Sequence, residues 1–547
     1  MEKIDGKGRT LGEIFSKSFF FRIPDYQRPF SWDEDNFGDL VGDVLSANQE
    51  QDYFLGTIVL HHQEDKQIYD VVDGQQRLTC LMILLACLRD MVQDPAYKRD
   101  FQEKILQPEN VLDSIPEKAR LEVKDRGIFK EMVLTENGTL TVRDSNGMPE
   151  PERRYVIAQD IFTKKLKALD EQALQKLGQF ISKRCVVIML AAGGFADAFR
   201  LFTVVNDRGK QLRRIDILKA LNVAPGIMAS DTIRARVVQD WETYEKNLGE
   251  LEFEGIFHLV RLIILKDKPQ ADLLTEFEER IFTPGKVVKG EAFFDLMFSY
   301  AKLFTTIFMD KDFLVAGEIE VNKYRALIRA MDSEFKASEW KACILAYASK
   351  FNSESFLKFL FRLEKVYLAD WVKGVRKDER FANYAKILGS IEGARKADDV
   401  IASITYDEAA IKEAAGRADV YSVGYGKYFL LRLELQALEY EVPKELVAKS
   451  VEHVLPQDPE PSGYWASNHD LLKIKEYVHS IGNLVLLSKS KNSSAKNYDF
   501  EKKKEKYLSS RVSDFPRSVQ VTACKSWTRQ DIESRTKDAV EKILLDF

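Results

Sequence analysis

Cysteine is scarce and dispersed: the five present, Cys80, Cys87, Cys185, Cys343 and Cys524, include no CxxC pair. That argues against a disulfide framework and a structural zinc ribbon, and it fits a reducing cytoplasm. Long apolar runs are missing too. The most apolar stretch, Leu78–Leu88, is interrupted by Thr and Cys and is too short to span a bilayer. The opening MEKIDGKGRTLGEIF has no basic-then-apolar signal pattern, so no membrane partner is expected. An excess of positive charge is also absent: the formal net charge is −5 and the pI about 5.9, so any contact with nucleic acid must be local. There is no GxxxxGK[ST] sequence, which excludes a P-loop, and no fixed-period repeat or low-complexity tract.

What is present describes an ordinary globular protein, 45% hydrophobic and 31% charged, and its 547 residues suggest about three folding units. Residues 1–225 mix β-like runs (Tyr53–Leu60, Gln67–Val72, Cys185–Leu190) with helical patterns, with a helix-leaning insertion over about 95–180. Within that insertion Glu136–Glu152, carrying NG, SNG and MPEP, reads as an exposed loop. Residues 226–425 are helical in pattern, as in Phe356–Val366 and Asp407–Gly416, and read as a scaffold. Residues 426–547 carry a second concentration of chemistry. The expected class is α+β and multidomain.

In the last segment Val451–Pro456 reads as a strand bearing Glu452 and His453, adjacent residues that face opposite ways. IGNLVLLS reads as a second strand carrying Asn483; a loop with Asn492 and the helix-like DFEKKKEKYLSS follow, a β-loop-β-α order. Phosphodiester hydrolysis needs an activated water, a cation and a means of orienting the base. Glu452 and Asn492 are oxygen donors suited to Mg²⁺ or Mn²⁺, and His453 can be the general base. Asn483 can hold its loop or orient the histidine ring. Between Leu486 and Arg511 eight Lys/Arg stand against three acids, so a local basic patch, with Lys489, Lys491, Lys496 and Lys503 among its members, is expected to grip DNA.

The front carries IPDYQRPFSW (Ile23–Trp32), DVVDGQQRLTCLMILLACL (Asp70–Leu88) and FRLFTVVNDRGKQLRRIDILKA (Phe199–Ala220). A strand is expected to end at Asp73-Gly74, before a helix with Leu78, Leu81, Leu85 and Leu88 on one face. Asp73 can serve as its N-cap, and the open N–H groups with Arg77 can hold a phosphate. Tyr26, Gln27 and Arg28 add donors and a stacking surface, while Trp32 reads as packing. Arg208, in the turn Asn206-Asp207-Arg208-Gly209, is free to reach an anion. Each of these also has a bland reading as a cap, a bridge or a helix stop.

In combination the motifs resemble a known family. EHVLPQ, Trp465, IGNLVLL, Asn492, Asn497, Phe500, Lys503, Tyr507 and the final SWTRQDIESRTKDAVEKIL resemble the HNH-type nuclease domain of GmrSD-like modification-dependent restriction enzymes, over roughly the last 120 residues. The resemblance implies a ββα-metal core with His453 as base and Glu452 and Asn492 on the cation. The final HNH histidine is an asparagine here, and the Cys₄ zinc knuckle of some HNH proteins is absent. The front segments, DGQQRLT above all, resemble the same family's sensor domain, itself similar to ParB and sulfiredoxin-type folds. That resemblance implies nucleotide binding and hydrolysis around Asp73, Gly74, Gln75, Gln76, Arg77 and Thr79, with Asn206 and Arg208, and does not distinguish GTP, ATP, CTP or UTP.

The function expected is a cytoplasmic, metal-dependent endodeoxyribonuclease in anti-phage defence, acting on modified phage DNA under nucleotide control. A homodimer would make a double-strand cut easiest. The alternatives are a nucleotide-controlled DNA-binding regulator that does not cut, and an RNA-cleaving toxin.

Overall fold

The computed structural model describes the chain apart from residues 1–4, 25, 26, 28, 63–67, 113, 194–197, 199, 200, 202–212, 225, 229, 444, 445, 447–449, 488–496 and 509–514. It divides into two compact units, Met1–Gln239 and Asp240–Phe547. The first is mixed α/β and the second largely helical, an α+β multidomain chain.

The first unit is built on a six-stranded sheet: β1 (Asp5–Thr10), β2 (Phe20–Arg22), β3 (Tyr53–His62), β4 (Ile68–Asp73), β7 (Leu121–Glu122) and β8 (Cys185–Ala192), in the order β1-β8-β3-β4-β2-β7. The short pair β5 (Leu106–Gln107) and β6 (Lys118–Ala119) stands apart. Strand β3 runs parallel to β8 and antiparallel to β4, so the expected β runs lie side by side near the middle of the sheet. Alternation sets the faces: Cys185, Val187 and Met189 of β8 are buried, while Ile188 between them is 38% exposed.

The Gln75–Met91 helix follows β4, and every residue from Leu78 to Asp90 is buried. The one-sided apolar stripe expected from its leucines is therefore corrected: this is a core helix, enclosed all round. Asp73 is not its N-cap, because Gly74 takes that position with no side-chain cap bond. At the other end Arg89 and Asp90 are buried as an ion pair. Arg89 donates to the carbonyls of Val133 and Thr135, and Asp90 accepts from the N–H groups of Asn137 and Thr139. This pins the start of the segment read as an exposed loop, burying Gly138 and Thr139.

The second unit packs helices around an aromatic core in which the Trp241 ring meets those of Phe253 and Phe257 at 5.0 and 5.2 Å. The expected helical segments fall in the Phe356–Val372 and Glu408–Ala415 helices, and Asp407 caps the latter by accepting from the N–H of Ala410 at 3.0 Å. One stretch among the described residues, Glu291–Met309, is long and apolar enough to cross a membrane; its Phe293, Phe294, Met297 and Phe304 are buried inside the unit, as in a core helix. Arg432 and Glu364 form a fully buried pair, joined by the Tyr428 hydroxyl at 2.7 Å. Arg432 also donates to the carbonyl of Leu545, and the Phe547 ring packs on Phe361 and Tyr440. The chain end is thus fastened to the middle helices. In this unit β9 (Ser450–His453) and β10 (Leu484–Leu487) form an antiparallel pair, followed by the Phe500–Leu508 helix.

Candidate functional site

Strand β9 ends in the pair Glu452-His453, which lies opposite Val485 and Leu484 of β10. The turn beyond it is held by Asn483, which is fully buried in a 3-10 turn just before β10 rather than within the strand. Its Oδ1 accepts from the Leu455 N–H at 2.8 Å and the Trp527 indole N–H at 3.0 Å. Its Nδ2 donates to the carbonyls of Leu455 (2.9 Å) and Val478 (2.8 Å), and its own carbonyl accepts from Val454 at 3.0 Å. The whole amide is spent on backbone and Trp527. Of the two roles the sequence left open, the geometry supplies the loop-holding one, and none of these bonds reaches the His453 ring.

His453 is only 5% exposed. Its Nε2 meets Nδ1 of His479 at 3.0 Å and its Nδ1 meets the Gln457 amide nitrogen at 3.3 Å. The Tyr421 ring stands edge-on to it at 4.4 Å and stacks on His479 at 5.6 Å. Burial pushes the His453 pKa down to about 3, and His479 and Lys503 push the same way against Asp419. The ring is therefore neutral at pH 7 and has a lone pair to offer, and a nearby phosphodiester anion would raise its basicity.

Glu452 is 8% exposed, and its Oε1 accepts from the Lys503 ammonium at 2.8 Å. The same ammonium donates to the His453 carbonyl at 2.6 Å. This corrects the expectation for Lys503: at 1% exposed it lies beneath the site as the partner of Glu452, not on a DNA-facing surface. Phe500, three residues earlier on the same helix, is likewise buried, so the two share its inward face. Among the described residues no three His, Cys, Asp or Glu side chains converge on one point. Among the described residues Glu452 thus belongs to no such cluster, and its Oε1 already serves an ammonium. Asn492, the second expected ligand, lies outside the described residues, as do Lys489, Lys491 and Lys496.

In the first unit Asp73, Gly74, Gln75, Gln76 and Arg77 gather, half-buried, at the junction of β4 and the core helix. Gly74 has φ +92°, and a Cβ there would lie 2.6 Å from Ile58 Cγ2, so the turn requires glycine. Arg77 donates to the Thr57 carbonyl at 3.0 Å and lies over Gly56 (φ +104°), where a Cβ would come within 3.0 Å of the guanidinium. Burial raises the Asp73 pKa, partly offset by the Gly74 N–H and Arg77, and it lowers that of Arg77, partly offset by Asp73.

Other expected members of this group serve the fold. Gln27 is buried and donates to the carbonyls of Val71 and Val72; Gln76 accepts from the N–H groups of Ser31 and Trp32. Thr79 is buried and donates to the Gln75 carbonyl one helical turn back. Together the two glutamines fasten Gln27, Ser31 and Trp32 to the strand–helix junction. Tyr26, Arg28, Asn206 and Arg208 lie outside the described residues.

Two family models match the chain, and together they span more than half of it: the GmrSD restriction endonuclease N-terminal domain over residues 11–223 and the GmrSD restriction endonucleases C-terminal domain over residues 405–542. The chain belongs to the GmrSD restriction endonuclease family. It is accordingly a nuclease whose substrate is DNA, with a role in defence. No curated protein matches it.

In this GmrSD protein the C-terminal match begins at residue 405, ahead of Asp419 and Tyr421, which lie in the stretch whose helical pattern reads as a scaffold. Those residues, with Gln457 and His479, were missed as parts of the His453 environment. His479 lies in the same YVHSIGN stretch as Asn483, a signal that was available. Tyr421 is separated from both histidines by long stretches of chain and had none.

Proposed function

We propose that this GmrSD protein cuts DNA at His453 and that a nucleoside triphosphate bound around Asp73–Arg77 controls the cut, the target being DNA with modified bases or backbone. The observation that carries this reading is the pairing of a buried, neutral His453 with an adjacent Glu452 at the end of one strand, inside the segment matched by the C-terminal family model. Neutral His453 takes the proton of the water that attacks phosphorus, and Asn483 keeps the following turn in place. Mg²⁺ or Mn²⁺ held by Glu452 with Asn492 would supply charge stabilisation at the phosphate.

At the front, Arg77 lies over Gly56 and belongs to the first turn of the core helix, which opens at Gly74 with no side-chain cap, a combination suited to a phosphate. The protein works in the cytoplasm on this reading, and a homodimer would deliver a double-strand cut. One observation favours a regulator that binds DNA without cutting: Glu452 is already neutralised by Lys503.

The deciding experiment is cleavage of unmodified, glucosyl-hydroxymethylated and phosphorothioated DNA with Mg²⁺ or Mn²⁺, with and without each nucleoside triphosphate, beside His453→Ala. Selective cutting that vanishes in the variant supports the reading. Intact DNA throughout, with DNA binding retained, supports the regulator; cleavage of matched RNA alone would indicate a toxin.

A further inference from the structure

His453 is held at both ring nitrogens, and this fixes where its proton sits. A neutral imidazole has one N–H and one lone pair. The Gln457 amide nitrogen, 3.3 Å from His453 Nδ1, has only hydrogens to offer, so Nδ1 is the lone pair and Nε2 carries the proton. His479 Nδ1, 3.0 Å from His453 Nε2, must then be an acceptor. The contact is a single N–H···N bond from His453 to His479, and it selects one tautomer of each ring.

His479 is itself anchored from a separate stretch of chain. Its backbone carbonyl accepts from the Val420 N–H at 2.9 Å, its ring stacks on Tyr421, and Asp419 is close enough for its carboxylate to feel the imidazole. Tyr421 touches both imidazoles, so it sets the angle between them. A histidine needed only for packing would not require a nitrogen-to-nitrogen contact with the neighbouring ring.

We propose that His479 is a positioning residue for DNA cleavage: it accepts a hydrogen bond from the Nε2–H of His453 and so reserves Nδ1 as the atom that takes the proton of the attacking water. Gln457 marks the direction of approach, since its amide occupies the place at Nδ1 that the water must take. This rests on the reading of His453 as the base. An acceptor that fixes a histidine's tautomer in this way is worth 10–100-fold in activity where such partners have been removed from metal sites, which sets the expected scale of about 10–100-fold.

The test uses the full chain labelled with ¹⁵N-histidine, which gives only six histidines to assign. Long-range ¹H–¹⁵N spectra are expected to show His453 in the Nε2–H form. His479→Ala should lose that preference and cut about 10–100-fold more slowly at saturating DNA, with KM little changed. His479→Asn, whose Oδ1 falls near the position of Nδ1, should keep the tautomer and recover most of the rate. A wild-type His453 in the Nδ1–H form would overturn the assignment, as would full-rate cutting by a folded His479→Ala. Recovery of the tautomer in His479→Asn without recovery of rate would also overturn it. If the wild-type protein cuts no DNA, the nuclease reading fails, while the wild-type tautomer still judges the His453–His479 bond.

Discussion

Replacing Asn483 by alanine removes a group that is fully buried and makes four side-chain hydrogen bonds, to Leu455 twice, to Val478 and to Trp527. A net bond is worth about 1 kcal/mol, and each partner left buried without one costs about 1–3 kcal/mol, so the loss should be about 4–6 kcal/mol after some water enters. That is a large part of the stability of a typical domain, about 5–15 kcal/mol. Urea unfolding followed by tryptophan fluorescence measures it, because the buried Trp527 indole is itself a partner of Asn483. Asn483→Asp should be no better: a carboxylate can accept from Leu455 and Trp527 but cannot donate to the carbonyls of Leu455 and Val478. Cleavage by either variant should fall with the folded fraction, whereas His453→Ala should abolish cutting even in protein that remains folded. A loss below about 1 kcal/mol for Asn483→Ala would refute the clamp role.

Three further expectations follow from buried or strained groups. Burial pushes the Glu434 carboxyl up to about 7 against its bonds from the Arg517 N–H and Ser518. A raised carboxyl stabilises the folded state at low pH and loses that contribution as pH rises through the folded value, about 1 kcal/mol between pH 6 and 8; thermal unfolding of Glu434→Gln should lack this component. Lys503→Met should destabilise the protein by about 3 kcal/mol, because the buried Glu452 carboxylate loses the Lys503 ammonium. It should also leave the salt dependence of DNA binding unchanged, whereas removing a surface lysine that contacts phosphate lowers the slope by about 0.9. Gly56→Ala should displace the Arg77 guanidinium and weaken nucleotide binding in calorimetry as much as Arg77→Ala does; unaltered affinity would place the nucleotide elsewhere.

Local periodicity and motif order in the sequence already determined several things: the runs that became β3, β4 and β8, the helical character of the middle, and the Glu452-His453 pair at a strand end. These depend on alternation and on neighbours a few residues apart, which the chain encodes directly. The front motif DGQQRLT was legible as a site, but the separate duties within it were not. Gln76 and Thr79 turn out to bind backbone, and Gly56, from the preceding strand, lies under Arg77.

Tertiary structure alone decided the rest. Lys503 sits in a run of three lysines, and only the inward face it shares with Phe500 separates it from a solvated charge. His479 reaches His453 across 26 residues, and Tyr421 comes from a segment earlier still. No pattern within a helical turn or a strand repeat specifies such meetings. They are settled by which packing buries Glu452, His453 and Lys503 with their polar groups satisfied, because an unpaired charge in that interior would cost about 3–5 kcal/mol, a large part of the marginal stability of a fold.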